Sequence, residues 1–62
     1  MKNYEELLRT SYRHLSLIFA GDHKADAEKI AAAEKEPGEC ISSVHAYCLD
    51  DQTFINIVYQ RN

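Results

Sequence analysis

The chain has 62 residues, with seven Lys and Arg against ten Asp and Glu, a formal net charge of −3 and a hydrophobic fraction of 45%. That length allows one domain, residues 1–62, and a thin core, because a chain this small buries only about 60% of the surface it exposes when unfolded; the ordinary apolar fraction argues against a disordered chain. The acidic balance speaks against a phosphate-binding surface, and without an apolar run of about 18 residues no membrane-spanning helix is expected.

Residues 1–20 carry Lys2, Glu5, Glu6, Arg9 and Arg13, which interrupt any leader-like apolar run, so the expected location is the cytoplasm. The same segment admits two structural readings. Tyr4, Leu7, Leu8, Tyr12, Leu15 and Ile18 or Phe19 recur with a helical period, which gives one helix over Asn3–Phe19. Leu15-Ser16-Leu17-Ile18-Phe19 also reads as a buried strand. A two-stranded hairpin is marginal alone, and a third strand makes a sheet that a helix can cover. The preferred reading is therefore a short helix over Asn3–Thr10 and a strand over 12–19.

His23–Glu36, HKADAEKIAAAEKE, is rich in strong helix formers. Asp22 is the expected N-cap, Gly21 gives the preceding turn its freedom, and Pro37-Gly38 ends the helix. Ala27, Ile30 and Ala31 form its apolar stripe. One isoleucine among alanines makes a narrow face that can lie close to a sheet. It supplies little volume, so the large core residues must come from elsewhere.

Cys40–Leu49 and Thr53–Tyr59 supply them, being dominated by β-branched and aromatic residues on either side of Asp50-Asp51-Gln52. Alternation places Val44, Ala46 and Cys48 with Ile55, Ile57 and Tyr59 on the expected core side. It places Ile41, Ser43, His45, Tyr47 and Leu49 with Phe54, Asn56 and Val58 on the other. The expected fold is α+β: a short N-terminal helix, then β-α-β-β with an antiparallel C-terminal hairpin and the alanine-rich helix on one sheet face. The alternative is α-α-β-β.

The chemistry-bearing residues are sparse. The sequence has no CxxC, HxxxH or HExxH spacing, and His45 faces away from Cys48 on a strand. Eight extended residues separate Cys40 from Cys48 by about 26 Å, where a disulfide allows about 7 Å, so both are expected as reduced, part-buried thiols. Asp50 and Asp51 stand at an exposed turn, a poor place to raise a carboxyl pKa. Gly21-Asp22 lacks the glycines and the charge for a phosphate cradle. No catalytic residue, metal ligand or cofactor is expected, and the chain does not read as an enzyme. What remains is the second hairpin face. Tyr47, Leu49, Phe54, Asn56 and Val58, with Asp50 and Asp51 beside them, are the candidate partner-binding residues, since aromatic side chains anchor protein interfaces. The same rings could stack single-stranded nucleic-acid bases, but the acidic neighbours oppose a phosphate backbone.

The segment Leu15–Tyr59 contains an apolar strand ending in Phe19-Ala20, the helix ADAEKIAAAEK and the hairpin ISSVHAY…TFINIVY. In that pattern it resembles small phage-encoded inhibitor proteins built as strand–helix–strand–strand, such as inhibitors of host RNA polymerase or of CRISPR defence. The resemblance implies a compact, acidic, non-enzymatic protein that occupies a surface on something larger. Asp22, Asp26, Glu28, Glu34, Glu36, Glu39, Asp50 and Asp51 would steer it toward a basic partner. The expected function is thus a small acidic protein-interaction domain, an inhibitor or regulator from a phage or mobile element that blocks a host protein. The alternatives are a self-associating homodimeric domain or a small subunit of a larger complex, and, with less support, single-strand nucleic-acid binding by the hairpin face.

Overall fold

The apolar alternation of the last strand organises the molecule. A computed structural model describes residues 11–61. In it β1 (Ser11–Ala20), β2 (Glu39–Leu49) and β3 (Gln52–Arg61) form one sheet in the order β1-β3-β2, with β3 antiparallel to both neighbours. The strand expected over 12–19 is present. The single helix over Asn3–Phe19 is excluded, because residues from Ser11 to Ala20 pair with β3. The expected helix over Asn3–Thr10 lies outside the described residues. β1 and β2 are parallel edge strands, so the chain between them crosses the sheet over β3. That crossover holds a 3₁₀ turn, Lys24–Asp26, and one short helix, α1 (Ala27–Ala33). No helix among the described residues is long and apolar enough to cross a membrane.

The two faces of β3 differ sharply. Thr53, Ile55, Ile57 and Tyr59 are completely or almost completely buried on the helix side, whereas Phe54, Asn56, Val58 and Gln60 on the other side are only half-buried. The buried apolar core consists of Ala27, Ala31, Ile55, Ile57 and Tyr59, bordered by Leu15, Leu17, Phe19, Ile30, Val44 and Ala46. The alanine stripe therefore covers the large residues of β3, as its narrow profile requires. Cys48 faces the same side, opposite Thr53, but lies at the exposed end of the sheet.

The expected alternation fails at one place in β2. Ile41 pairs with Tyr59 and Ser43 with Val58, leaving Ser42 as the extra residue of a β-bulge. A bulge of one residue reverses the faces on one side of it. Glu39 and Ile41 thus join the helix side, and Ile41 does not belong with Ser43, His45, Tyr47 and Leu49 as strict period-2 reading requires. Cys40 and Cys48 consequently lie on opposite faces, and both are unpaired and exposed rather than part-buried.

The helix is also shorter than its composition predicts, because groups from the sheet take its backbone partners. The Tyr59 hydroxyl donates to the Ala31 carbonyl, Arg13 Nη2 donates to the Glu34 carbonyl at 3.1 Å, and the Glu36 amide donates to Glu39 Oε1 at 2.9 Å. These bonds replace the next helical turn. At the other end Asp22 is not an N-cap of the α-helix. Its Oδ1 accepts from the Lys24 amide at 3.2 Å, which closes a local turn. Buried Thr53 completes that corner by accepting from the His23 amide at 2.8 Å and donating to the Gly21 carbonyl.

Candidate functional site

The sheet face opposite α1 is built in cross-strand rows. Ile18, Phe54 and Tyr47 form one row, Ser16, Asn56 and His45 the next, and His14, Val58 and Ser43 the third. Ala20, Gln52 and Leu49 lie toward the hairpin end, and Tyr12, Gln60 and Cys40 toward the other. Not one of these side chains is Asp, Glu, Lys or Arg. Yet Ile18, Tyr12, Leu49 and Tyr47 are 62%, 59%, 57% and 41% exposed, four of the five large hydrophobic residues that are exposed among the described residues.

The face is ordered internally. Tyr47 and Phe54 stack with ring centroids 5.2 Å apart and planes 12° from parallel, and His45 lies 5.5 Å from Tyr47. Ser16 Oγ donates to Asn56 Oδ1 at 2.9 Å, which satisfies polar groups within the middle row. Tyr47, Leu49, Phe54, Asn56 and Val58 are therefore together on one surface. Asp50 and Asp51 are not part of it. They form the two-residue turn between β2 and β3, both with positive φ, 53° and 61°, the conformation of a type I′ hairpin turn. Tyr12, His14 and Ile18 belong to the face and escaped sequence reasoning. Alternation along β1 was the signal available, but the competing helical period concealed it.

The charged residues gather elsewhere. At the end of the sheet away from the hairpin turn, Arg13 clasps Glu39 with two bonds, Nε to Oε2 and Nη2 to Oε1, each 2.8 Å. Arg13 also lies over the Tyr59 ring, its Cζ 4.4 Å from the centroid. Arg61 bonds the Pro37 carbonyl at 3.3 Å and approaches Glu36 at 3.5 Å. The Arg13 guanidinium, aided by the Glu36 amide, holds the Glu39 carboxyl down to about 2. The Glu39 side chain is only 3% exposed, so it is a structural anion and not a steering charge. This cluster neutralises itself and ties β1, β2, β3 and the end of α1 together. A hollow near the hairpin turn is lined by Gly21, Asp22, Cys48, Leu49, Asp50 and Asp51. There the Cys48 thiol donates to Asp22 Oδ1 at 3.5 Å. Bonds from the Lys24 amide and then from Cys48 lower the Asp22 pKa. Among the described residues no three His, Cys, Asp or Glu side chains converge as a metal site.

Compared with family models, with curated proteins and with solved structures, the chain matches none of them. The likeness to small phage inhibitors therefore stands on the strand–helix–strand–strand pattern alone.

Proposed function

We propose that this chain is a small protein-interaction domain whose working surface is the open sheet face. The observation that carries this reading is a continuous three-strand surface without a formal charge, bearing four exposed large hydrophobic side chains. Free surfaces of small proteins rarely present such a patch, and depletion of charge with enrichment of aromatic side chains marks the centre of protein interfaces. Tyr47 and Phe54 are the anchors, with Ile18, Leu49 and Val58 around them and Asn56 as the polar centre. Both a self-associating domain and an inhibitor or regulator of phage or mobile-element type that occupies a host protein would use such a face. Nucleic-acid binding fits it less well, since the face offers stacking rings but no Lys or Arg to follow a phosphate backbone.

The test is affinity capture with tagged full-length protein, co-expressed with an untagged copy. A stoichiometric protein retained by the wild type and lost in both Tyr47→Ala and Phe54→Ala supports the reading. A wild type that retains no protein at stoichiometric level, and that also stays monomeric up to millimolar concentration, contradicts it.

A further inference from the structure

We infer that the occupant of the open face is a second copy of this chain, the two sheets packing face to face with their α1 helices outward. This rests on the interaction reading above and names its partner.

Charge is the first argument. Each copy carries −3 overall, which opposes self-association at most surfaces. On the open face that opposition is smallest, because every Asp, Glu, Lys and Arg among the described residues lies on the helix side, in the crossover or at the turn. A face without charge is complementary to itself. It needs no opposite pattern on a partner, as a twofold interface between identical surfaces demands.

Area is the second argument. Three strands of about ten residues, spaced about 4.8 Å apart, cover roughly 450 Å² in flat projection, so two copies bury on the order of 1,000 Å². That is the lower bound for a specific interface, and the whole face must be used to reach it. Two sheets stacked about 10 Å apart use the whole face, whereas an edge contact along β1 would leave Tyr47, Leu49 and Phe54 in water. The expected complex is therefore one of modest affinity that exchanges with monomer.

The cysteines supply an internal control. Cys40 lies on the open face, opposite Gln60, and Cys48 on the helix side, opposite Thr53, and both are exposed. Self-association must slow alkylation of Cys40 relative to Cys48, and the slowing must grow with protein concentration.

The experiment is analytical ultracentrifugation of the full chain from low micromolar to millimolar concentration, joined to alkylation of the two thiols over the same range. The wild type should approach twice the 7.1 kDa chain mass as concentration rises, with Cys40 progressively protected. Ile18→Lys changes a side chain that is 62% exposed, so it leaves the fold intact, and it should weaken the dimer by at least about 100-fold by burying an unpaired charge in each copy. Ile41→Lys, on the helix side and 41% exposed, should leave the dimer unchanged. A wild type that stays monomeric throughout overturns the proposal, while capture of a different protein that Tyr47→Ala abolishes would keep the interaction reading. Protection of Cys40 that does not vary with concentration would assign the face to its own chain and overturn both.

Discussion

Phe54 on β3 and Tyr47 on β2 stack nearly parallel across the strand pair, 5.2 Å apart, on the side of the sheet that no described element covers. Phe54 is half-buried by the stack, and Tyr47 remains 41% exposed. Two rings held in place before any partner arrives lose little freedom on binding, which favours association. If the pair serves an interface rather than the core, Tyr47→Ala should cost the pair's own attraction, about 0.5–1.5 kcal/mol, plus the part of the ring that the sheet already covers. Ile57→Ala, at a position 1% exposed, should cost about 2–5 kcal/mol. Urea unfolding of both variants, at concentrations where the chain is monomeric, makes the comparison.

The Arg13–Glu39 clasp makes stability pH-dependent. Glu39 titrates at about 2 in the folded chain against an ordinary 4.5, so the folded state binds this proton less readily than the unfolded one. The contribution is present above about 4.5 and is lost as pH falls toward 2. The urea midpoint of the wild type should fall through that window. In Glu39→Gln the midpoint at pH 7 should be lower and this part of the acid slope absent.

Two buried hydroxyls should prove costly to remove. Tyr59→Phe leaves the Ala31 carbonyl without its hydroxyl donor, for an expected loss of about 1–2 kcal/mol. Thr53→Val keeps the shape but removes the acceptor of the His23 amide and the donor to Gly21, for about 1–3 kcal/mol. Thermal or urea unfolding reads both, and the Thr53 variant should also speed amide exchange at His23.

The hairpin turn is not optimised. Asp50 and Asp51 both adopt positive φ, where Asn-Gly is preferred and an L side chain is strained. Replacing the pair, Asp50→Asn with Asp51→Gly, should raise stability by about 0.5–1 kcal/mol. It should leave binding by the open face in place, since neither residue belongs to that face.

Much of this fold is legible in the residues. The TFINIVY alternation identifies Ile55, Ile57 and Tyr59 as core, the alanine stripe places α1 over them, and the need for a third strand resolves 12–19 correctly. What is hidden depends on distant partners. Nothing local announces that Tyr59, Arg13 and Glu39 will take up the backbone groups at the end of α1, so composition overstates its length. Ser42 has no turn signature, so the bulge that carries Glu39 and Ile41 to the helix side is invisible to a period-2 count. Deleting Ser42 should therefore destabilise the chain far more than Ser42→Ala, which should stay within about 0.5 kcal/mol. The candidate site was half legible. Tyr47, Leu49, Phe54, Asn56 and Val58 fall on one surface as read, but Tyr12 and Ile18 join them only once β1 is known to pair with β3.

A dilution series of backbone amide spectra tests, residue by residue, whether the open sheet face is where this chain meets a second copy of itself. Concentration-dependent shifts should cluster at Ile18, Tyr47, Leu49, Phe54 and Val58, while Ala27, Ala31 and Ile41 stay fixed. Shifts confined to the helix side, or spectra that do not change from low micromolar to millimolar protein, would contradict the account.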